Sequence, residues 1–339
     1  VDDDLGRQVD KGIQILNGTY EFNDDLVVDV AQRWAEHTGI GKDQVPEDPE
    51  QIRNNRDTYL PEFDQLQDNV RRKFNYAYLS QLTEAIKARK AAERVESHLE
   101  LGRKAVIFHD FQKEPGGHPF DLSKFKPQSA PTDDAQIQNQ VQLDHQIDAF
   151  KEMFPELVNL KLRGLQGVAD TIRERFGDRA RVFNGKISDG AKAEAKQAFN
   201  KDDSGVDVIV VQRQSGKEGL SLHDMTGDTP RTLIDMGLPI RPTDALQTEG
   251  RVYRMGQQSN AILEYPVLLT VFEQRQLWRH FRVSFLNSGE CCLERRFPVS
   301  PVPKPLWLRC GNCRPNNGRR RFPPSSRRVS SRLIAARKA

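Results

Sequence analysis

Residues 104–111 read Lys-Ala-Val-Ile-Phe-His-Asp-Phe, and this stretch decides the fold class. A short apolar, β-branched run after a basic turn is typical of a strand that is buried on both faces, as in a parallel sheet. Further runs of this kind alternate with helical patterns, with strands at 181–183, 206–211 and 232–236 and helices at 165–176 and 191–199. This alternation predicts an α/β fold in which helices cover a parallel sheet.

The chain before this strand is polar and rich in helix-forming residues. From Asp64 to Leu101 it mixes Leu, Ala, Lys, Arg and Glu, and apolar residues recur at spacings of three and four, which predicts helix. Residues 39–61 contain prolines and an Asn-Asn pair and are predicted to form a loop. We therefore expect a helical region at 1–100, an α/β domain at 101–270 and a separate tail at 271–339.

The net charge of +3 is the sum of two unlike parts. Residues 271–339 hold 16 Lys and Arg against 3 Asp and Glu, a balance of +13, whereas residues 1–270 hold 35 against 45, a balance of −10. The tail is also rich in Pro and Ser and has lost its hydrophobic periodicity, so we expect it to be poorly structured. Three interpretations of it stay open: an out-of-frame reading of a GC-rich gene, a basic tail that grips nucleic acid, and a folded domain.

All four cysteines lie in this tail, which excludes cysteine chemistry from the rest of the chain. Cys310-Gly-Asn-Cys313 has the spacing of a zinc knuckle, and Cys291-Cys292 offers two further thiols. Adjacent cysteines rarely ligate one ion together, and zinc ribbons usually present two such pairs. We therefore expect unpaired cysteines and assign no metal site, with a zinc module as the alternative.

Residues 247–257 read Gln-Thr-Glu-Gly-Arg-Val-Tyr-Arg-Met-Gly-Gln and are the most informative stretch for function. Arg251 and Arg254 are three residues apart, which predicts that both guanidinium groups lie on one side of a helix and point into one cleft. Gln247 lies one turn earlier on the same face. An isolated R-x-x-R is usually a solvated basic helix, but this fuller pattern follows a strand and a proline-bounded turn, which favours a functional site.

These residues resemble motif VI of superfamily 2 helicases and translocases. The resemblance is closest to the chromatin-remodelling motors of the switch/sucrose-non-fermenting type and to the phage- and plasmid-borne helicases related to strawberry notch. It implies that the α/β domain is a RecA-like C-terminal lobe. It also implies that Arg251 and Arg254 are arginine fingers for the phosphates of ATP, and that Gln247 orients the nucleotide or an arginine.

Three other segments resemble the same family, in the family's order. Residues 104–111 look like motif IV, which implies that His109 approaches nucleic acid from the carboxyl end of a strand. The segment with Asn184, Gly185 and Ser188, followed by Lys192 and Phe199-Asn200, looks like a remodeller-type segment beside the nucleic-acid path.

Residues 206–222 look like the strand and glycine-rich loop of motif V. Gly216 and Gly219 would let backbone N–H groups approach phosphate closely. Many relatives have Thr at the start of this loop and Asp or Asn near the ribose, where this chain has Arg213 and Ser221. Ser221 is the candidate for contact with the nucleotide, and Ser215 for contact with nucleic acid.

The sequence contains neither a Walker A loop nor a DExx box, which hold ATP and Mg²⁺ in the first lobe of such motors. Residues 38–43, Thr-Gly-Ile-Gly-Lys-Asp, have Asp where the Mg²⁺ ligand Ser or Thr belongs, so we interpret them as a turn. We therefore expect this chain to be inactive alone. It would act on DNA as the C-terminal lobe of a motor that binds ATP with Mg²⁺ between this lobe and an N-terminal lobe.

The alternative is a non-catalytic nucleic-acid-binding or regulatory module that keeps the RecA-like fold. No apolar run approaches the length of a membrane helix, and the first residues lack the basic and apolar regions of a signal peptide. We therefore expect a soluble, cytoplasmic protein with no membrane partner.

Overall fold

The computed structural model describes residues 2–60, 63–125, 133–162, 165–216, 220–239, 241–268, 270–277 and 306–309. Its packing divides the chain into two compact units. One consists of residues 3–79 and 115–165, and the other consists mainly of residues 80–114 and 166–339. The domain bounds expected from the sequence, 1–100, 101–270 and 271–339, stay predictions.

The first unit is helical. Its helices are α1 (Asp2–Leu16), α2 (Asp24–His37), α3 (Pro49–Asn54), α4 (Arg56–Tyr59), α5 (Phe63–Val70), the start of α6 (Tyr76–Glu100), α7 (Asp134–Met153) and α8 (Pro155–Val158). Helix α6 continues into the second unit. The loop predicted at 39–61 is wrong in part, because it contains α3 and α4. Pro49 does not prevent α3, since it occupies the first helical turn, where Asp48 caps the helix by accepting the Glu50 N–H at 3.0 Å.

Aromatic residues form much of the core of the helical unit. Tyr20 is fully buried and meets Phe63 edge to face at 6.0 Å, and Trp34 meets the same ring at 6.0 Å. Arg33 extends from α2 to donate to the Met153 carbonyl at 2.6 Å, which joins α2 to the end of α7. The insertion after residue 114 therefore packs with the N-terminal helices.

The second unit contains the predicted parallel sheet. Its strands are β1 (Lys104–His109), β2 (Ala180–Phe183), β3 (Val208–Gln212), β4 (Arg231–Asp235), β5 (Ile262–Val267) and β6 (Leu306–Arg309). The order is β2-β3-β1-β4-β5-β6; the first five strands are parallel, and β6 pairs antiparallel with β5. Helices α9 (Val168–Phe176), α10 (Asp189–Asn200) and α11 (Pro242–Val252) complete the alternation. The predicted α/β class, consistent with a RecA-like lobe after a helical segment, is confirmed.

Alternate residues of the strands supply the two sides of the core. Ala105, Ile107 and Ile234 pack in one buried cluster with residues of α6 and α9. Val106 and Phe108 pack in the other, with Phe199 of α10 and Val252 of α11. Since both faces are covered, the central residues of β1 and β3 are apolar on both sides, and this is why the sequence pattern identified these strands.

Packing of the sheet unit continues to Glu273, in a helical segment at 271–277. The Lys87 ammonium, 5% exposed, pairs with the buried Glu273 carboxylate and donates to the carbonyls of Met236 at 2.6 Å and Pro266 at 3.1 Å. Most of the predicted tail, including all four cysteines, lies outside the described residues. Among the helices that the structure describes, none has the length and apolar content to cross a membrane.

Replacing Lys87 by Met should lower the free energy of unfolding by about 3 to 5 kcal/mol, because it leaves the buried Glu273 carboxylate without its cation. The matched control is Lys90→Met, since Lys90 forms an exposed pair with Glu93 on the same helix and should change stability by less than about 1 kcal/mol. Urea denaturation measures both. Equal effects of the two substitutions would show that Glu273 is not held by Lys87.

Candidate functional site

The carboxyl ends of β1, β3 and β4 meet at one edge of the sheet. The register pairs His109 with Gln212 and Phe108 with Asp235, so the residues that follow these strands are neighbours. Open α/β sheets bind ligands at this edge. The segments that resemble helicase motifs IV and V both end here.

Arg213, which follows β3, is the centre of this edge, and its guanidinium uses all five of its N–H donors. Nε donates to Asp110 at 2.8 Å, and the two terminal nitrogens form a two-pronged pair with Asp235. Nη1 also donates to the Thr248 hydroxyl at 2.9 Å, and Nη2 to the Gly237 carbonyl at 3.0 Å. The residue that departs from the family pattern therefore joins three strands to α11.

The electrostatics of Arg213 favour its charged form. Burial by itself lowers the pKa of a guanidinium, but the carboxylates of Asp235 and Asp110 outweigh that cost, and the pKa of Arg213 is raised. In the sequence, Arg213 is notable only because many of the helicases that the chain resembles have Thr at this place in motif V. The available signal was a pair of aspartates, Asp110 and Asp235, at the ends of two strands predicted to be buried.

Glu84 on α6 supports the loop after β1. Its carboxylate accepts the backbone N–H of Asp110 at 3.0 Å and that of Phe111 at 3.3 Å. Burial, followed by the negative charge of Asp110, raises the pKa of Glu84 to about 8. Gly237 makes this close arrangement possible, because a Cβ there would lie 2.8 Å from Asp110 Oδ2 and 2.9 Å from Glu84 Oε1.

Helix α11 carries Gln247 and Arg251 but ends at Val252. The expectation that Arg254 shares a helix face with Arg251 is therefore wrong, because Tyr253 has already left helical geometry, with φ −103° and ψ 103°. Gln247 and Arg251 line one small cleft with Gly216, Thr248 and Arg213. Arg254 lies beyond the helix and is exposed.

A short segment, Leu220 and Ser221, nevertheless brings the two arginines together. Arg251 Nη1 donates to the Leu220 carbonyl at 3.3 Å, and Arg254 Nη1 lies 3.4 Å from the Ser221 hydroxyl. Asn200 holds the same segment by donating from Nδ2 to the Ser221 carbonyl at 3.0 Å. Asn200 thus contributes to this site, a role that the sequence did not assign.

Ser221 also contacts His223, whose Nδ1 lies 2.9 Å from the Ser221 hydroxyl. Burial, followed by the positive charges of Arg254 and Arg231, lowers the pKa of His223. The imidazole is therefore neutral near pH 7, and in the tautomer with a free Nδ1 it accepts the serine hydrogen. The lone pairs of Ser221 then face Arg254.

Gly216 is required by packing. A Cβ at this position would lie 2.7 Å from Val211 Cγ1 and 3.2 Å from Phe108 Cε1, both in the sheet core. The absence of a side chain lets the loop backbone lie directly on the sheet, at the floor of the cleft. Gly219, the other predicted loop glycine, lies outside the described residues.

The structure brings together three of the predicted nucleic-acid residues. A Cβ at Gly185 would lie 3.5 Å from Ser215 Oγ, so the loop with Asn184 and Gly185 borders the turn with Ser215. Ser215 Oγ donates to Gln212 Oε1 at 3.2 Å, and Gln112 donates to the same oxygen. These two glutamines extend the polar surface and were missed by sequence reasoning, since lone glutamines carry no pattern.

The other two nucleic-acid candidates have clear structural roles. Ser188 is the N-cap of α10, and its hydroxyl accepts the Ala191 N–H at 3.2 Å. His109 is 1% exposed, with Nδ1 2.9 Å from the Phe111 carbonyl, and burial lowers its pKa. His109 therefore faces the interior in this arrangement, and its contact with nucleic acid stays a prediction, as does that of Ser188.

Within the described part of the chain, no cluster of three or more His, Cys, Asp or Glu side chains is arranged to hold a metal ion. The cysteines of the alternative zinc module lie outside the described residues.

Comparisons with known proteins add little. No family model matches the sequence, and no curated protein matches it. Among solved structures, the chain is similar to the C-terminal part of the Fun30 ATPase domain, at 11% identity, over 80% of this chain and 76% of that chain, with a TM-score of 0.27. A likeness of that size carries no argument, so the functional conclusion depends on the residues of the site.

Replacing Ser188 by Asp separates its N-cap role from its predicted contact with nucleic acid. Asp is a good N-cap, so the stability of the chain should change by less than about 0.5 kcal/mol. Its negative charge would repel a phosphate backbone, so affinity for a fluorescent DNA duplex, measured by anisotropy at low salt, should fall several-fold. Ser188→Asn, a neutral cap, is the matched control. Equal affinity of the Asp and Asn variants would remove Ser188 from the nucleic-acid site.

The raised pKa of Glu84 predicts that stability falls as the pH rises. In the folded protein the Glu84 carboxyl stays protonated up to about pH 8, whereas in the unfolded chain it ionises near pH 4.5. Between these two pH values, each rise in pH therefore favours the unfolded state. From pH 6 to pH 9 the free energy of unfolding should decrease by about 2 to 3 kcal/mol more in the wild type than in Glu84→Gln. Urea titrations at both pH values measure this. A Glu84→Gln slope like that of the exposed control Glu93→Gln would contradict it.

Proposed function

We propose that the parallel-sheet unit is the C-terminal motor lobe of an ATP-dependent DNA helicase or translocase. In this proposal an N-terminal RecA-like lobe binds ATP with Mg²⁺, and the present chain supplies arginines to the phosphates and part of the DNA path. The observation that carries the proposal is that Arg251 and Arg254 both reach the segment Leu220–Ser221. Two guanidinium groups at one short segment favour an anionic ligand.

The charges around the two arginines fit a phosphate. Burial, followed by the positive charge of Arg254, lowers the pKa of Arg251, although a guanidinium stays protonated at neutral pH. None of the ion pairs between described residues includes Arg254. A ligand with several negative oxygens would relieve the repulsion between the two cations, and a water-filled site would do so less well.

In this proposal each residue of the site has a distinct role. Arg251, in the last turn of α11, and Arg254, just beyond it, stabilise negative charge on the transferring phosphoryl group. Gln247 lies in the cleft with Arg251 and orients the nucleotide or that arginine. The nearby loops with Asn184, Gly185 and Ser215 hold the DNA backbone. Hydrolysis of ATP supplies the free energy that closes and opens the two lobes.

The same loops would also serve a non-catalytic nucleic-acid-binding or regulatory module. Such a module would keep the DNA contacts and would not need its arginines for hydrolysis. The paired arginines favour the motor lobe, because contact with a DNA backbone alone does not require both of them beside Ser221.

The test combines this chain with the N-terminal lobe, in cis or in trans, and measures DNA-stimulated ATP hydrolysis. Arg254→Ala should lower kcat by about 10³-fold or more, the size of effect that arginine fingers have in related phosphoryl transfers. The matched control is Arg173→Ala, because Arg173 is an exposed arginine on α9, and its removal should leave the rate unchanged.

Two outcomes would contradict the proposal. Hydrolysis that is unchanged in Arg254→Ala would show that this residue is not an arginine finger. DNA binding without any hydrolysis in the combined lobes would identify the chain as the non-catalytic module instead.

A further inference from the structure

Thr248 is the point at which Arg213 contacts α11. Its hydroxyl accepts the N–H of Arg213 Nη1 at 2.9 Å and donates to the Asp244 carbonyl, one turn back, at 2.8 Å. The side chain is 3% exposed, so water does not replace this contact. Thr248 follows Gln247 directly and precedes Arg251 by three residues. It therefore lies between the two residues of α11 that line the candidate cleft.

The other end of the contact, the Arg213 guanidinium, is bonded to the sheet edge on several sides. Arg213 is fixed by Asp235, Asp110 and the Gly237 carbonyl, which belong to the sheet edge rather than to the helix. Its backbone N–H donates to the His109 carbonyl at 2.8 Å, and this continues the pairing of β3 with β1. A guanidinium held by carboxylates in this way is a rigid reference point, because reorienting it would leave buried donors and acceptors unpaired.

We propose that Arg213 is a positioning residue for Arg251 and that it acts through the Thr248 hydroxyl. This inference rests on the proposed function, since it concerns the placement of the arginine assigned to the phosphates. The hydrogen bond between Arg213 and Thr248 sets the position and rotation of α11 relative to the sheet. The position of the Arg251 side chain follows from that of the helix. The Leu222 N–H, which donates to the Arg251 carbonyl at 2.8 Å, holds the last turn from its other side.

Arg213 also connects α11 to the turn at residues 212–216. Ser215 and Gly216 donate their N–H groups to the Gln212 carbonyl at 2.9 and 3.0 Å, so Arg213 lies inside the turn that presents Ser215. Arg213 therefore bonds to α11 from within this turn. Arg213 and Thr248 thus join the turn at the candidate DNA surface to the helix that carries the candidate phosphate arginine.

Thr248→Val is the informative variant, with Thr248→Ser as its matched partner. Valine keeps the shape of the side chain and removes only the hydroxyl, whereas serine keeps the hydroxyl. Truncation of Arg213 itself is less useful, because it would leave Asp235 buried and unpaired and would destabilise the whole edge.

The first readout needs no activity. Hydrogen exchange of the full chain, followed by mass spectrometry, should report amides of residues 247–252 that exchange about tenfold faster in Thr248→Val than in Thr248→Ser, as expected for the loss of a hydrogen bond to a charged group. Equal exchange in the two variants would overturn the proposal, whatever the function of the chain.

The second readout is a double-mutant cycle in the two-lobe ATPase. Thr248→Val should lower kcat about tenfold with little change in KM, Thr248→Ser should restore the rate, and Thr248→Val should cost nothing further once Arg251 is alanine. Additive losses would mean that Thr248 does not act through Arg251. If Arg251→Ala itself leaves hydrolysis unchanged, the proposed function fails, and the exchange experiment still decides the positioning role.

Discussion

The edge of the sheet depends on one buried ion pair, between Arg213 and Asp235. A guanidinium in a protein interior is tolerated only when its donors find acceptors, and here all five do, from residues that follow or end the two strands β1 and β4 and from α11. If any acceptor moved away, a buried N–H donor of Arg213 would be left unpaired, and this cost holds each acceptor in place. The apolar core stabilises the sheet, but this pair decides how the loops above it are arranged.

The two candidate phosphate arginines differ in freedom. Arg251 sits on a helix whose position is set from several directions: Thr248 bonds to Arg213, Glu249 accepts a hydrogen bond from the Tyr265 hydroxyl of β5, and the last turn accepts the Leu222 N–H. Arg254 follows the helix on an exposed segment. A fixed cation and a more exposed one at the same segment, Leu220–Ser221, can serve different ends of a reaction, one holding a phosphate and the other following its charge as it moves.

Sequence patterns predicted β1 to β4 and the helices α9 and α10, because strands that are buried on both faces are largely apolar. They predicted the motif residues only in part. The role of Arg213 does not follow from any one motif, since Asp110 and Asp235 are distant in sequence and become neighbours only through the order β3-β1-β4. No glycine or proline directly follows Val252, so the spacing of three between Arg251 and Arg254 wrongly predicts one helix face. The N-cap role of Ser188 was predictable in principle, because a serine followed by Asp189 is a common helix start.

The helical unit interrupts the sheet unit in sequence, and this has a consequence for the order in which the chain can fold. β1 is a central strand, yet both of its partners, β3 and β4, come about a hundred residues later in the chain. During synthesis from the N-terminus, the helical unit is complete once residue 165 has emerged, while β1 still has two unpaired edges. The apolar strand β1 therefore stays unpaired during this interval, when a chaperone or a second nascent chain could bind its exposed edges.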